Sequence, residues 1–284
     1  MPRLPLSRRP GDEVFFTDRP CAAEWLIVLL PDGLLNTMPS LPSFSALVSC
    51  MAGASRFHTA LVVGAGEGLS ASLARRFSRE GLEVAIAARN ASKLKALVAE
   101  TGALAIEADA TRPDDVRRLF AETADRYGPP DVVVYNASGR LRGPFVELDA
   151  ATVAANLAVT AYGGFLVAQE AARAMLPKGH GAILLTGASA SVKGYPQSAP
   201  FAMGKFALRG LAQSIARELA PKGIHVAHFV IDGGIRSATR VDPADAPDSF
   251  LSPDAIADTY WHVLNQDRSA WTWEVELRPW VERF

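Results

Sequence analysis

From residue 58 onward, short apolar runs alternate with amphipathic segments of helical period. The apolar runs predict strands at 59–64, 82–89, 103–109, 131–138, 181–189, 224–231 and 271–277. The segments between them predict helices at 69–81, 91–101, 113–128, 149–175, 198–220 and 252–266. Apolar strands that alternate with helices are typical of a parallel sheet covered on both faces. We therefore predict an α/β fold: a doubly wound parallel sheet of about seven strands, flanked by helices on both faces, with strand order 3-2-1-4-5-6-7.

Residues 1–57 show no such period and contain several prolines. Their apolar run "EWLIVLLPDGLL" is interrupted by Pro31-Asp32-Gly33, a turn signal. We predict a poorly ordered N-terminal extension over 1–57 and one domain over 58–284. Met51 as the true start and a secretory signal stay open as alternatives, although the short apolar core and the acidic residues nearby argue against a signal. We expect a cytoplasmic protein.

Composition and residue spacing argue against binding of nucleic acid, insertion into a membrane and binding of a metal. The chain has 284 residues, is 49% hydrophobic and 21% charged, and carries a net charge of −1, so no general attraction to nucleic acid is expected. No apolar run reaches the ~18 residues of a membrane span. Cys21 and Cys50 form no CxxC pair, and His225 and His228 lie at odd spacing on a predicted strand, so we expect no metal site.

The first strand-to-helix turn, in "VVGAGEGLSASLA", contains Gly64, Gly66 and Gly68. Glycines there let a phosphate approach the backbone at a helix N-terminus, so the turn predicts a Rossmann-type dinucleotide site, with a plain tight turn as the alternative. The second strand ends at Arg89, whose guanidinium suits the 2′-phosphate of NADP(H). Glu67 in the turn argues the other way. We favour NADP(H), with NAD(H) as the alternative.

Further motifs follow the predicted strands. They are "GAGEGLS", "EADAT", "YNASG", "LLTGAS" and "DGGIRS", with "AANLAVTAYGGF" in the long helical tract. With them the chain resembles the short-chain dehydrogenase/reductase family over about residues 58–240. Ser70, Tyr135, Ser138 and Asp232 depart from the motifs of that family. The resemblance implies cofactor contacts from Gly64, Gly66, Gly68, Leu69, Arg89, Asp109, Asn136, Lys205 and Ile235.

The signature of this family is Tyr-x-x-x-Lys on the helix after the fifth strand, and residues four apart share one helical face. In "SAPFAMGKFAL", Lys205 matches the lysine and Phe201 occupies the position of the tyrosine. The resemblance implies that Lys205 holds the nicotinamide ribose, whereas the proton donor is missing. It also implies catalytic roles for Asn156 and for Ser189. The strict spacing of the family would place the catalytic serine at position 188, where this chain has Ala188.

Three routes could replace the missing proton donor. Ser189 could hydrogen-bond the substrate oxygen while a water relays the proton through Lys205 and Asn156, and we rank this route first. Tyr195 could swing inward, or the substrate could need no protonation of oxygen. Asn156 and Ser189 also have purely structural alternatives, which are helix packing and backbone capping.

The function that these residues favour is transfer of hydride between NADP(H) and a small carbonyl or alcohol substrate, with altered acid catalysis. The alternatives are a nucleotide-binding protein without turnover, acting as a sensor or subunit, and another reaction on the same fold. Residues 236–251 show little periodicity and are interpreted as a lid or a plain surface loop. The resemblance implies a homodimer or homotetramer.

Overall fold

The computed structural model of the protein describes residues 56–281. Its strands form one parallel sheet in the order β3-β2-β1-β4-β5-β6-β7, which confirms the predicted order. The strands are Thr59–Val63 (β1), Glu83–Ala88 (β2), Leu104–Glu107 (β3), Val132–Tyr135 (β4), Gly181–Thr186 (β5), Ile224–Ile231 (β6) and Glu274–Leu277 (β7). Residues 1–55 of the predicted extension lie outside the described residues. Phe57, which we placed in that extension, is instead buried in the core.

Helices cover both faces of the sheet, as predicted. They are Leu69–Arg79 (α1), Lys95–Thr101 (α2), Pro113–Tyr127 (α3), Ala150–Leu157 (α4), Gly163–Met175 (α5), Ala199–Leu219 (α6) and Pro253–Leu264 (α7). One apolar cluster joins the sheet to α1 and α7, and a second joins the opposite face to α3, α5 and α6. Each side of the sheet is therefore buried, which explains why its strands are apolar runs without alternation.

The central strands end earlier than the sequence predicts. β4 stops at Tyr135 and β5 at Thr186, three residues before the predicted end of each strand. After β4, Asn136 still donates from its backbone to Val63 O at 2.8 Å, but the chain then leaves the sheet. The turn at Gly64 packs directly on the backbone of Ala137. The segments after both strands therefore lie outside the sheet at its carboxyl edge, where α/β proteins form their sites.

The predicted helix over 149–175 is not uniform. One π-helical turn, Ala158–Tyr162, separates α4 from α5. The hydroxyl of Tyr135 donates to Val159 O within this turn. Inserted hydrogen-bond partners of this kind produce bulges and bends in helices. The π turn begins two residues after Asn156, so this distortion lies next to a predicted site residue.

The same tract corrects an expectation about membranes. An 18-residue window within Ala150–Lys178 reaches a mean hydropathy of 1.5, and the tract is long and apolar enough to cross a membrane by length and composition alone. We had expected that no segment would qualify. In the structure, Leu166, Val167 and Met175 of this tract pack into the core on one face of the sheet. Packing of a core helix therefore accounts for the apolar character of this side of the tract.

Candidate active site

A cavity of about 780 Å³ opens at the carboxyl ends of β1, β2 and β4. Five of the predicted cofactor residues line it: Gly64, Gly66, Arg89, Asp109 and Asn136. Two others, Gly68 and Leu69, lie next to it as the N-cap and the first residue of α1. Lys205 and Ile235 do not line this cavity, and neither do Asn156 and Ser189. The structure thus brings together one half of the predicted site, and the other half lies around β5 and α6.

The turn after β1 is built for a close approach of backbone to ligand. Gly64 has φ of +89°, and a Cβ there would collide with the backbone of Ala137. A Cβ at Gly66 or Gly68 would meet nothing within 4 Å, so open space lies at the N-terminus of α1. A phosphate group fits this place, because the helix terminus presents unpaired N–H groups and a positive dipole end.

Ser70 stabilises the same turn. Its hydroxyl donates to Gly64 O at 2.9 Å and accepts from Nδ2 of Asn136 at 2.7 Å. Ser70 is one of the departures from the family motifs, and here it links the first turn of α1 to the end of β4. The glycine turn and Asn136 are therefore held as one unit.

The far end of the cavity carries charged side chains. Arg89 and Lys93 point from the end of β2 and the segment after it, and both are exposed. Arg75 is paired with Glu100 through two hydrogen bonds of 2.7 and 2.8 Å. Partial burial raises the pKa of Asp109, but hydrogen bonds from Thr111 and the charge of Arg89 outweigh it and lower that pKa. Asp109 therefore stays ionised beside the cavity.

Lys205 lies on α6 and is only 3% exposed. Its Nζ donates to Thr186 O, at the carboxyl end of β5, over 2.7 Å. Burial lowers the pKa of Lys205 to about 7. An ammonium group has three N–H donors, and Thr186 O is the one acceptor that the described residues provide for it. A ligand with hydroxyl groups would satisfy the remaining donors.

Phe201 lies one helical turn before Lys205 and is half-buried. The guanidinium carbon of Arg140 is 5.7 Å from the centroid of its ring. Tyr195, the aromatic alternative considered from the sequence, is 45% exposed in the loop before α6.

Asn156 occupies the last turn of α4 and is buried. Its Oδ1 has no hydrogen-bond partner among the described residues. A Cβ at Gly139 would collide with the side-chain amide of Asn156, so the two residues are in direct contact. A buried acceptor without a partner is costly, and a bound water or ligand would relieve that cost.

The serines after β5 differ in environment. Ser189 begins a short 3-10 helix, Ser189–Ser191, and is half-buried. Ser191, which the sequence did not single out, is fully buried. Its Oγ accepts from Ala188 N at 3.2 Å and lies 3.3 Å from Nε2 of His228. Ala188 itself carries no hydroxyl.

His228 belongs to a buried polar network that sequence reasoning missed. Its Nδ1 lies 3.0 Å from Oε2 of Glu274. The carboxylate of Glu274 also accepts two hydrogen bonds from Arg209, at 2.6 and 2.7 Å. Burial lowers the pKa of His228 to about 4, although Glu274 opposes the shift. His225 instead stacks on Trp271 at 4.6 Å. No signal in the sequence joins these residues, since the network spans the segment after β5, α6, β6 and β7.

Two contacts fix the chain after β6. Asp232, which departs from the family motif, is buried and pairs with Lys193 at 3.0 Å. The loop 236–251 is closed at its base, because Leu251 N donates to Gly234 O at 2.8 Å beside the bridge between Ile235 and Leu251. The predicted lid is therefore a loop anchored at both ends next to Ile235.

Comparison with known proteins relates this geometry to a family. Residues 58–245 match the short chain dehydrogenase family. The chain is 33% identical over 183 residues to 3-oxoacyl-(acyl-carrier-protein) reductase MabA of Mycobacterium avium, covering 63% of this chain and 67% of that protein. It is 32% identical over 200 residues to the cyclic-di-GMP-binding biofilm dispersal mediator protein of Escherichia coli K12, covering 69% and 79%.

A solved structure agrees with these matches. The crystal structure of a metagenomic short-chain oxidoreductase in complex with NADP is 26% identical, with a TM-score of 0.68 over 78% of this chain and 97% of that one. The family match covers the glycine turn, Asn156, Lys205 and the whole sheet up to β6. The chain therefore belongs to the short-chain dehydrogenase/reductase family of NAD(P)-dependent oxidoreductases.

Proposed function

We propose that the protein transfers hydride between NADP(H) and a small carbonyl or alcohol substrate, with an altered proton-transfer step. The observation that carries this proposal is Lys205, a buried ammonium with one protein acceptor at the end of β5. Burying a charge without a full set of partners is unfavourable, so such a group is retained where a ligand completes it. The hydroxyl groups of the nicotinamide ribose are suitable acceptors.

The cavity supports NADP(H) over NAD(H). The open space at Gly66 and Gly68 would take the pyrophosphate, and Asp109 would lie beside the adenine. Arg89 and Lys93 have no carboxylate within ion-pair distance among the described residues, so both cations are free to hold a 2′-phosphate. The NADP complex of the metagenomic relative is consistent with this choice. A nicotinamide cofactor bound here would supply or accept the hydride.

The proton must come from a residue other than tyrosine. We propose that Phe201 replaces the family tyrosine, so this helix position offers no hydroxyl. Burial brings the pKa of Lys205 to about 7, which lets its Nζ hold or release a proton near neutral pH. The unpartnered Oδ1 of Asn156 would hold the water that carries this proton, and Ser189 would hydrogen-bond the substrate oxygen.

Turnover of the parent protein and of one variant tests this function. The protein is incubated with NADPH and a panel of small carbonyl compounds, and NADPH oxidation is followed. We expect slow turnover, and Phe201→Tyr should raise kcat by about 10²–10⁴-fold, the usual effect of a positioned general acid. Lys205→Ala should weaken NADPH binding. Absence of both NADPH binding and turnover in the parent would contradict the proposal.

A second candidate function is nucleotide binding without turnover, as a sensor or subunit. Phe201 favours it, because the residue cannot donate a proton. The name of the Escherichia coli relative describes a nucleotide-binding role within the same family. NADPH binding without turnover in the parent, with activity gained in Phe201→Tyr, would support this candidate over the first. We also propose a cytoplasmic homodimer or homotetramer that acts on a small molecule.

A further inference from the structure

An arginine covers Phe201, the residue one helical turn before Lys205. The guanidinium carbon of Arg140 is 5.7 Å from the ring centroid. Arg140 belongs to the connection between β4 and α4, and Gly143 of this connection donates from its backbone to Gln197 O at 3.0 Å. That hydrogen bond ties the connection to the turn before α6. Arg140 is therefore anchored next to the segment that carries Phe201.

Arg142 follows Arg140 by two residues in the same connection, and the charge of Arg240 also acts on Arg140. Partial burial and the positive charges of Arg142 and Arg240 lower the pKa of Arg140. Arg240 comes from the loop after β6, where its Nη1 donates to Ile235 O at 3.0 Å and its guanidinium lies 5.9 Å from the ring centroid of Phe250. Arg140 thus lies over Phe201, and Arg240, from a loop distant in sequence, lies against Ile235.

These three charges are not compensated by the protein. Among residues 56–281, none of Arg140, Arg142 and Arg240 has a carboxylate within ion-pair distance. Arg236 provides the contrast, because Asp242 lies 2.5 Å and Asp248 3.7 Å from its Nη2. Asp242 and Asp248 therefore pair with Arg236, whereas Arg240 has no carboxylate within ion-pair distance among the described residues. Like charges held together concentrate anions from solution at that place.

We propose that the substrate carries an anionic group, a carboxylate or a phosphate, which binds to Arg140 with Arg142 and Arg240. This inference rests on the proposed function, since it places the substrate between these arginines and Lys205. A guanidinium forms paired hydrogen bonds with either anion, so both groups suit the site. An anion would also offset the repulsion among the three arginines, which a neutral substrate would leave in place.

Calorimetric binding to the NADPH complex tests the inference with matched pairs of probes. Acetoacetate is compared with methyl acetoacetate, and dihydroxyacetone phosphate with dihydroxyacetone. We expect the charged member of at least one pair to bind at least about tenfold more tightly than its neutral partner. The pair that shows the larger preference distinguishes a carboxylate from a phosphate. The preference should shrink as salt rises, because the arginines are partly exposed.

Variants of Arg140 test whether the preference for charged probes comes from these arginines. Arg140→Gln should remove most of this preference. Arg140→Lys should retain part of it, because lysine keeps the charge but lacks the planar guanidinium that forms paired hydrogen bonds. Arg126→Gln is the matched control, since Arg126 is also exposed and lies over an aromatic ring, that of Tyr127, at 5.2 Å. This control should keep the full preference.

The possible outcomes distinguish failure of this inference from failure of the proposed function. If NADPH binds and is oxidised with a carbonyl of the panel, but charged and neutral probes bind equally or no charged probe binds, the inference is wrong and the proposed function stands. An unchanged preference in both Arg140 variants would also overturn it. If NADPH does not bind, the proposed function fails, and the inference fails with it.

Discussion

Lys205 shows at the scale of one residue how stability and function oppose each other. The residue is almost fully buried, and burial alone shifts its pKa from 10.5 to about 7. A shift of one pKa unit corresponds to about 1.4 kcal/mol, so the charged form costs on the order of several kcal/mol in the folded protein. The folded protein bears this cost at the end of β5. Hydroxyl groups of the proposed cofactor ribose would offset it by accepting hydrogen bonds from the buried ammonium.

Replacing Lys205 with methionine should therefore stabilise the protein. Below pH of about 7 the lysine is charged in both states, and the folded state bears the full cost of burial. Between pH 7 and 10.5 the unfolded chain still binds the proton that the folded chain has released, so the cost shrinks as pH rises and vanishes above that range. We expect Lys205→Met to raise the free energy of unfolding by roughly 2–4 kcal/mol at pH 7.

Chemical denaturation of both proteins across pH 6 to 10 measures this effect. The difference in unfolding free energy should be largest near pH 6 and should fall steadily toward pH 10. A destabilised variant, or a difference that grows with pH, would show that the protein itself stabilises the charge of Lys205.

At the scale of one element, two factors favour glycine in the turn after β1: a positive φ and a close contact with a neighbouring segment. Gly64 and Gly81 both have positive φ, +89° and +84°. A Cβ at Gly64 would collide with Ala137, whereas a Cβ at Gly81 would meet nothing within 4 Å. Substitution of Gly81 therefore tests backbone strain alone, whereas substitution of Gly64 tests backbone strain together with crowding against Ala137.

Gly64→Ala should lower stability more than Gly81→Ala. We expect about 1–2 kcal/mol for Gly81→Ala from backbone strain alone, and more for Gly64→Ala because the end of β4 must move. Movement of Ala137 would displace Asn136, so NADPH affinity should fall in Gly64→Ala and stay unchanged in Gly81→Ala. Thermal unfolding and fluorescence titration with NADPH measure both effects. Equal losses in the two variants would show that the contact with Ala137 is unimportant.

The elements and their order were predictable because each strand is an apolar run between amphipathic helices. The carboxyl ends of β4 and β5 were predicted too long, since "NAS" and "GAS" continue as small residues that fit a strand equally well. Gly64 packs on the backbone of Ala137 just after the end of β4, and the sequence alone does not indicate such a contact. The π turn accepts a hydrogen bond from the hydroxyl of Tyr135, which comes from another element, so the helical period does not indicate it.

The sequence predicts site residues where a motif lies within one element or follows a predicted strand. Lys205 and Phe201 share one helix, so their spacing predicts them, and Gly64, Arg89, Asp109 and Asn136 each follow a strand that ends at the same edge of the sheet. Ser191, His228 and Glu274 come from three segments, and only the folded sheet brings them together. The arginines around Arg140 likewise come from two loops after different strands, for which no period or motif exists.

At the scale of the whole molecule, one face exposes large apolar side chains on neighbouring elements. Tyr162 and Phe165 stack at 6.3 Å, and Met203 and Phe206 project from α6, all between 41% and 52% exposed. The π turn packs against α6, so the two pairs lie on adjacent elements. Several large apolar side chains exposed on adjacent elements are typical of an interface between protein chains.

We therefore predict that this face joins two copies of the chain. In light scattering after size exclusion, the parent protein should elute as a dimer or a tetramer. Phe206→Glu should reduce the mass, because a charge placed at an apolar contact is costly. Val241→Glu is the control, since Val241 is 68% exposed on the loop after β6. A parent protein that is monomeric at high concentration would contradict the prediction.

Binding of the two nicotinamide cofactors to the unaltered protein is the most direct measurement of the proposed site. Isothermal titration with NADPH and with NADH should show binding of both, with NADPH at least about tenfold tighter because Arg89 and Lys93 would pair with its additional phosphate. Tighter binding of NADH would contradict the assignment of these two cations. Failure of both cofactors to bind would contradict the site as a whole.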